Sequence, residues 1–560
     1  MDSEETQTDM AHENVAQERE TQPLEVDQAL FQDSEKRADD LVKHEDSPLN
    51  VEELISKTTL IPMMVAITSA IFLMLLDTSI IATAIPYITN DFHSLSDVGW
   101  YGSSYQIASA SLQLLTGKIY VNFNSKWTFL VFFAIFELGS LLCGVATSSK
   151  MLIVGRAVAG MGCSGIQNGG FSIVAACVPM TRRPALIGIA MGFSQLGLVL
   201  GPLIGGALTE YVSWRWCFYI NLPVGALVFA SLFFVRVPEP RKNSITSIRL
   251  LPRDLDLIGF ALFAPAAIQL LLALQYGGNQ FAWNSSTVIG LFCGAGATCI
   301  VFLVWEYYKG DEAMIPFSMA RNRIISSSSV AFGLMMALTF TASYYLPLYF
   351  QGVNGASPTL SGVYLLPSIL SQTFSVGLSG ALVAKVGYYT PFMLGGSALA
   401  AVANGLLATL APGTSTGKWI GYQILLGVGR GLCMQMPILS VQNLLAPAQI
   451  PIAMGLVVFS SSFGGSLFLS FADTILTNSL LSLIPQYAPY VDAQAVAYAG
   501  ATGLRDVVSA QDLPGVLIAY SKSIDRNFYL CAAASAACFV CAWGMGWKRI
   551  GGAKKQDEKV

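Results

Sequence analysis

Fourteen apolar runs of about 20 residues recur along this chain and constrain its fold more than any other feature. Such a run, wound into a helix that rises about 1.5 Å per residue, crosses the ~30 Å hydrocarbon core of a membrane. Because the backbone finds no water there, each run is predicted to be a helix. Only 12% of the 560 residues are charged, whereas soluble domains carry about 25%. These features exclude a soluble enzyme and predict an all-α polytopic membrane protein. The runs lie near 62–85, 98–117, 127–147, 151–173, 185–208, 216–235, 255–276, 286–306, 325–349, 359–383, 391–411, 418–440, 452–476 and 528–547.

Basic residues are distributed unequally between the two sets of connecting loops. Thirteen lie in the short loops on the side of the amino terminus, and three, Lys150, Arg215 and Lys418, lie in the loops opposite. Since basic loops remain in the cytoplasm, both termini are predicted to be cytoplasmic. The glycosylation sequon at Asn284 then faces outward, but its proximity to a span argues against its use. The plasma membrane is the expected location, with a vacuolar or vesicle membrane as the alternative.

The amino-terminal segment 1–56 differs from the rest of the chain in composition. Its first 55 residues hold seventeen acidic and four basic residues, a local charge of −13. An acidic, polar segment with few aromatic residues buries too little apolar surface to fold, so we predict a disordered cytoplasmic tail. Residues 551–560 are predicted to form a second cytoplasmic tail, and residues 477–527 an extracellular loop.

A short internal repeat indicates how the spans are grouped. The heptapeptide 156–162 of the fourth run parallels 423–429 of the twelfth, and both end in Gly-x-Gly. Many secondary transporters consist of two such repeats with a central solute site between them. We therefore expect two six-helix bundles, at 57–236 and 321–550. Residues 237–320 between them are expected to supply a cytoplasmic loop and two inserted transmembrane helices.

The segment 197–206 in the fifth run is unusually rich in helix-disfavouring residues, which are Gly197, Gly201, Pro202, Gly205 and Gly206. In a soluble helix each glycine costs about 1 kcal/mol and a proline about 3 kcal/mol. In a membrane, small residues instead let neighbouring helices approach closely. The segment therefore predicts a kinked, closely packed helix, which serves either packing alone or the motion of a transporter.

Four charged residues are predicted to lie inside spans: Asp77, Glu137, Arg156 and Arg430. An intramembrane charge costs about 3 kcal/mol on insertion scales, so each is a functional-site hypothesis. Counting helix rise places Asp77 roughly 13 Å and Arg156 roughly 8 Å from the outer ends of their spans. The two residues are therefore expected at similar depth, as an ion pair or as groups lining one cavity. Glu137 and Arg430 are expected nearer mid-depth, and the sequence does not determine which neighbouring helices their side chains face.

Several kinds of site are missing from the sequence. There is no Gly-x4-Gly-Lys-Ser/Thr phosphate loop, and the cysteines, which lie in or at the edge of apolar runs, are interpreted as packing residues, so neither a cofactor nor a metal is expected. Nucleic acid is not an expected partner. Transport would then depend on an ion gradient, and a buried carboxyl group suits a proton. The expected partners are a small organic substrate, protons and the lipid bilayer, with the protein acting as a monomer.

Four motifs together resemble the major facilitator superfamily, and within it the fourteen-span drug:proton antiporters of the fungal toxin-efflux branch. They are residues 76–86, Arg156 with Gly160 and Gly162, residues 197–206, and residues 214–225. The resemblance covers about residues 60–550 and implies a major facilitator fold. It also implies that Arg156 takes part in proton coupling and that the 197–206 signature belongs to exporters.

One loop departs from the superfamily pattern, Gly-x3-Asp-x2-Gly-Arg-Lys/Arg. The corresponding segment, 117–126, has Val121 in place of the acid, Asn124 in place of the second glycine, and Lys126 as the one remaining terminal base. In the family this loop is thought to hold the two bundles together in one state. Its electrostatic contribution is expected to be weaker in this chain.

The sequence therefore predicts a transporter, not an enzyme, that exports an amphipathic organic compound such as a toxin or drug in exchange for protons. Asp77 and Arg156 would handle the proton, with Glu137 and Arg430 as further candidates. One alternative is a transporter of another solute, such as a siderophore or a basic amino acid. A second alternative is a non-transporting membrane sensor with segment 1–56 as its recruiting element.

Overall fold

A computed structural model describes residues 57–94, 97–235, 237, 251–278 and 280–551, whose backbone is almost entirely helical. The expected tail at 1–56, all but Gly551 of the expected tail at 551–560, and most of the expected cytoplasmic loop, at 238–250, lie outside the described residues. A 3₁₀ turn occupies Gly310–Glu312, and a π-helical turn occupies Tyr349–Val353. In chain order the helices are α1 (Lys57–Phe92), α2 (Val98–Asn122), α3 (Ser125–Gly144), α4 (Ser149–Cys177), α5 (Arg183–Tyr211), α6 (Trp216–Tyr219), α7 (Asn221–Phe234), α8 (Leu251–Asp254), α9 (Leu257–Tyr276), α10 (Ser286–Lys309), α11 (Phe317–Ala320), α12 (Arg323–Leu348), α13 (Pro358–Tyr364), α14 (Leu366–Val386), α15 (Thr390–Leu407), α16 (Thr416–Cys433), α17 (Met436–Leu444), α18 (Ile450–Tyr487), α19 (Ala493–Val507) and α20 (Leu513–Gly544).

Twelve membrane-spanning candidates in the described part of the chain are long and apolar enough to cross a membrane. The all-helical membrane architecture is thereby confirmed, whereas the expected number of fourteen spans is not. The two helices that fall short are α2 and α4, with 25 and 29 residues. Their length suffices, but serine, glutamine and glycine reduce their hydropathy. A helix surrounded by other helices needs less apolar surface than one that faces lipid, which accounts for this composition.

The boundaries differ from the sequence-based prediction most at the outer end of the second half. Residues 477–527 were expected as a loop, but α18 continues to Tyr487, α19 occupies Ala493–Val507, and α20 already begins at Leu513. These segments are too polar or too interrupted to give a 20-residue apolar run. Hydropathy therefore detected the membrane portions of α18 and α20 and missed their extensions.

The internal repeat corresponds to repeated contacts between helices. Added Cβ atoms at Gly160 and Gly427 would collide with backbone carbonyls in α2 and α14, at Tyr105 and Ser368. In the same way, Gly162 lies against the α3 backbone and Gly429 against the α15 backbone. Each Gly-x-Gly thus lets one helix approach two neighbours at once, with one glycine for each. The two halves repeat this three-helix arrangement.

The inner side of the molecule is the side on which α1 begins and α20 ends. Here the Ile550 N–H donates to the Gly387 carbonyl at 2.8 Å, and Gly551 packs against Thr181, so the segment that follows α20 contacts two loops. The two halves are also in backbone contact on this side. Gly380 of α14 packs on the Pro184 carbonyl of α5, and Gly117 of α2 packs on Ile452 of α18.

Two acidic side chains fix the linker that joins α10 to α12 on the inner side. Asp256, buried and with a φ of 49°, accepts hydrogen bonds from Trp305 Nε1 at 3.0 Å and from the Met314 N–H at 2.9 Å. Glu306 accepts from the Met314 and Ile315 N–H groups at 3.2 and 2.8 Å. The linker is thereby held against α9 and α10 through its own backbone.

Candidate transport site

Asp77 of α1 and Arg156 of α4 form a fully buried ion pair. Asp77 Oδ2 lies 2.5 Å from Arg156 Nη1, and the residues are 0% and 1% exposed. Asp77 and Arg156, which were expected at similar depth, are thus in direct contact. A buried pair of this kind is stable only while both charges are present, because removal of one leaves the other without compensation. Loss of either charge would therefore weaken the contact between α1 and α4.

Arg156 has two further partners in α2. Its Nε donates to the Tyr101 carbonyl at 2.9 Å, and its guanidinium carbon lies 4.5 Å from the centre of the Tyr105 ring. The carbonyl and the ring compensate part of the cost of burying the charge. Arg156 therefore joins α1, α2 and α4 at one point and does not extend to the outer surface.

Asn221 in α7 completes the surroundings of Asp77. Its Nδ2 donates to Asp77 Oδ1 at 3.2 Å and to Ser140 Oγ of α3 at 3.1 Å. Neither Asn221 nor Ser140 was singled out from the sequence, although Asn221 lies within the family motif 214–225. The signal available was a polar residue at the start of a strongly apolar helix. Together the four side chains link α1, α3, α4 and α7.

Glu137 lies one helical turn from Ser140 on α3, towards the inner side. Both of its carboxyl oxygens are buried and have no hydrogen-bond partner among the described residues. The carboxyl group lies directly on Gly225 of α7, where any side chain would collide with it. Gly225 is itself one turn from Asn221. The two helices therefore place an unpartnered carboxyl group next to the Asp77 network.

The 197–206 segment of α5 separates into two sets of residues. Three glycines of this segment face α1: Gly197, Gly201 and Gly205. Added Cβ atoms at these positions would collide with α1 at Phe72, Ser79 and Ile80, in that order. Ser79 Oγ also donates to the Gly197 carbonyl at 3.1 Å. This spacing of four residues forms one close-packed seam, and α1 carries Asp77 on the adjoining turns.

Gly206 and Pro202 lie outside that seam. An added Cβ at Gly206 would meet nothing within 4 Å, and Pro202 is half-buried within the helix. Proline removes one intrahelical hydrogen bond and favours a bend. The segment thus combines a packing face with a position of reduced backbone hydrogen bonding.

Arg430 is also buried, but it lies on α16 in the other half, away from the Asp77 network. Its Nε has no hydrogen-bond partner in the described residues. One turn further along the same face, Met434 Sδ accepts contacts from Gln195 Nε2 of α5 at 3.8 Å and Gln372 Nε2 of α14 at 3.4 Å. This face of α16 therefore meets the boundary between the two halves.

The remaining predicted positions lie at the ends of spans. Asn284 is exposed in the turn immediately before α10. In the divergent loop, Lys118 Nζ donates to the Glu312 carbonyl of the fixed linker at 3.1 Å, and Lys126 Nζ donates to the Phe233 carbonyl at 2.7 Å. Both bases thus bind backbone carbonyls. Within the described residues, no group of three or more His, Cys, Asp or Glu side chains is arranged to hold a metal.

Comparison with known proteins identifies the architecture. The sequence model described as Major Facilitator Superfamily matches residues 67–469. Among curated proteins, the MFS-type transporter pigP of Monascus ruber is 62% identical over 507 residues, covering 90% of this chain and 89% of pigP. The efflux pump mlcE of Penicillium citrinum is 50% identical, covering 88% of this chain and 91% of mlcE.

Solved structures share the fold at low sequence identity. The proton:xylose symporter XylE aligns with a TM-score of 0.58 and 13% identity, covering 89% of this chain and 98% of XylE. The transporter FucP in its outward conformation aligns with a TM-score of 0.54 and 10% identity, covering 87% and 99%. At such identities the likeness concerns the arrangement of helices alone.

Proposed function

The chain belongs to the major facilitator superfamily of membrane transporters, and we propose that it exports an amphipathic organic compound in exchange for protons by alternating access. Export is supported by the names of its relatives, since mlcE and mokI, each 50% identical, are both described as efflux pumps. The assignment to the fourteen-span drug:proton antiporters rests on the sequence motifs. The transported class, a toxin, drug or other secondary metabolite, belongs to the same proposal.

The proposed topology has fourteen spans, with α2 and α4 added to the twelve apolar ones. At about 1.5 Å per residue, helices of 25 and 29 residues exceed the ~30 Å hydrocarbon core. Two six-helix bundles, 57–236 and 321–550, then flank the inserted pair α9 and α10 within 237–320. Both termini are cytoplasmic, and the plasma membrane is the proposed location.

The buried pair of Asp77 and Arg156 is the observation that carries the proton-coupling proposal. In the ionised state, Asp77 holds Arg156 and accepts from Asn221. Protonation removes the negative charge, so the Arg156 contact weakens and α1 and α4 separate at lower cost. Glu137 is a second proton-carrying group in this proposal, because its carboxyl group is unpartnered and lies beside the same network. Arg430, predicted alongside them from the sequence, lies on α16 in the other half and is not part of this network.

The seam between α1 and α5 is proposed to transmit this change. Gly197, Gly201 and Gly205 bring α5 into backbone contact with the helix that carries Asp77. A shift of α1 therefore requires α5 to follow. A Gly201→Leu variant that is expressed and transports like the wild type would contradict this role.

The test is efflux from proteoliposomes with an imposed pH gradient. Nile red serves as a neutral amphipathic probe, dansylaminoundecanoic acid as an acidic one, and an entrapped pH dye follows protons. Asp77→Asn is expected to abolish gradient-driven efflux and the accompanying proton flux. Asp91→Asn is the matched control, because Asp91 forms an exposed 3.1 Å pair with Arg215. Efflux by Asp77→Asn equal to that of the wild type at equal protein content would refute the coupling role.

A further inference from the structure

Arg430 differs from the other two buried arginines of the described chain in lacking partners. Arg156 is held by Asp77 and the Tyr101 carbonyl, and Arg183 donates to the Val178 and Ala175 carbonyls. Arg430 is 5% exposed, and no described residue forms a hydrogen bond or ion pair with its guanidinium. The titratable neighbour of this group is the thiol of Cys531 on α20, which carries no compensating charge at neutral pH.

The face of α16 that carries Arg430 points into the protein. Gly427 and Gly431 pack on α14, and Gly429 packs on α15, so two sides of the helix are covered. Gly421, which is exposed, marks the side of the helix that faces away from the protein interior. At about 100° per residue, Arg430 lies on the side opposite Gly421. A side chain in this position has no route to the membrane surface along its own helix face.

The same face leads to the boundary between the two halves. Met434 lies four residues beyond Arg430 and therefore one turn below it on the same face. Gln195 from the first half and Gln372 from the second both reach Met434 Sδ. A solute held between the halves at this level is within one helical turn of Arg430. Amide groups and a thioether beside the guanidinium suit a molecule that is both polar and apolar.

The internal repeat indicates that helix packing does not require an arginine at position 430. By the alignment of 156–162 with 423–429, the counterpart of Arg430 in the first half is Cys163, a buried neutral residue. The three-helix packing of the first half therefore forms without a charge at this position. The charge of Arg430 therefore has a role that is specific to the second half.

A buried guanidinium without a counter-charge is costly, and its natural ligand is a planar anion that accepts two parallel hydrogen bonds. We propose that Arg430 binds the acidic group of the transported compound, so that the cargo is an amphipathic organic acid. This inference rests on the proposed export of an amphipathic compound and names its chemical class. The carboxylate supplies the charge that no described residue gives to Arg430.

The experiment measures binding to the purified full-length protein in lipid nanodiscs, with dansylaminoundecanoic acid and its methyl ester as the probes. The two probes differ in charge and are similar in apolar surface. Wild-type protein is expected to bind the acid about tenfold or more tightly than the ester, as a charge-assisted bidentate contact provides. Arg430→Gln is expected to remove this preference and to leave ester binding within about twofold.

Two further variants control this result. Lys418→Gln removes an exposed positive charge from the outer end of the same helix and is expected to retain the full acid preference. Arg430→Lys retains the charge without the planar fork and is expected to retain part of the preference. The second variant also provides a measurement if Arg430→Gln does not fold.

Equal wild-type affinity for acid and ester overturns the inference, and so does a preference that survives in Arg430→Gln. A wild-type preference for the acid that is present in chloride-free buffer and abolished by 150 mM chloride would assign the site to an inorganic anion and also overturn it. Export is measured separately in proteoliposomes. A wild-type acid preference without any gradient-driven export would refute the proposed function while supporting the acid-binding role of Arg430.

Discussion

Arg156 in α4 and Gln423 in α16 occupy the same position of the internal repeat. Each donates to the carbonyl of a tyrosine in a neighbouring helix, Arg156 to Tyr101 and Gln423 to Tyr364, both at 2.9 Å. The glycines that follow them pack on equivalent helices in the two halves. The backbone arrangement is therefore shared, whereas the charge is not. Only the arginine is joined to a buried acid.

A second polar contact, between an asparagine and a serine, occurs in both halves, but the helices that carry the two residues are exchanged. In the first half, Asn221 Nδ2 donates to Ser140 Oγ at 3.1 Å, and in the second half Asn404 Nδ2 donates to Ser535 Oγ at 3.2 Å. Both contacts join the third helix of a half to its sixth. In the first half this contact continues to Asp77, which makes it part of a charged network. The comparison indicates that helix packing is common to both halves and that a buried acid–arginine pair is present in the first.

The largest effect is expected from separating the charges of the first half. Arg156→Ala leaves Asp77 buried without compensation and is expected to lower the free energy of unfolding by about 3–5 kcal/mol. The double variant Asp77→Asn/Arg156→Gln is expected to recover most of this stability, because neither charge remains. Thermal unfolding in detergent measures the stability, and gradient-driven efflux remains absent in both variants. Single variants as stable as the wild type would contradict the network.

Matched glycine substitutions test whether packing is truly shared. Gly162→Ala and Gly429→Ala each place a Cβ against the backbone of the preceding helix and are expected to cost about 1–3 kcal/mol of unfolding free energy. Gly206→Ala is the control, since its Cβ meets nothing within 4 Å and gains helix propensity. Thermal unfolding of the three variants gives the ranking. A large loss at one repeat position and none at the other would break the comparison.

Gln423→Leu is expected to have a smaller effect than any change at Arg156. It removes one hydrogen bond to the Tyr364 carbonyl and leaves no buried charge, at a cost of about 1 kcal/mol. Gradient-driven efflux is expected to be unchanged, because no acid depends on Gln423. Loss of proton coupling in this variant would show that both halves carry the chemistry.

The smallest effects are expected at the two serines. Ser140→Ala and Ser535→Ala each remove one acceptor of an asparagine amide and are expected to cost about 1 kcal/mol. Efflux measured across a series of pH values distinguishes the two variants. Ser140→Ala is expected to shift the profile because Asn221 also contacts Asp77, whereas Ser535→Ala is expected to leave it in place.

Hydropathy and helix rise predicted much of this arrangement from the sequence. Apolar runs located the helices, and depth counting placed Asp77 and Arg156 at similar depth, without deciding between an ion pair and a shared cavity. The repeat of Gly-x-Gly led to the prediction of two similar helix groups, and its glycines make matching close contacts in the two halves. The sequence could not predict which neighbouring helix each charged side chain faces. A charge near mid-depth, such as Glu137 or Arg430, lies far from both membrane surfaces, so its position does not fix the rotation of its helix about the helix axis. Asn221 was missed for a related reason, since one polar residue in an apolar helix does not reveal its partner.

The linker between α10 and α12 has a practical consequence for work at the bench. Its backbone N–H groups at Met314 and Ile315 are bound by buried carboxylates, and Ala313 and Met314 are almost completely covered. A protease needs an extended, accessible strand of several residues in its cleft. Trypsin added from the inner side is therefore expected to leave the bond after Lys309 intact, and an epitope tag inserted at 313–315 would displace the linker that Lys118 contacts.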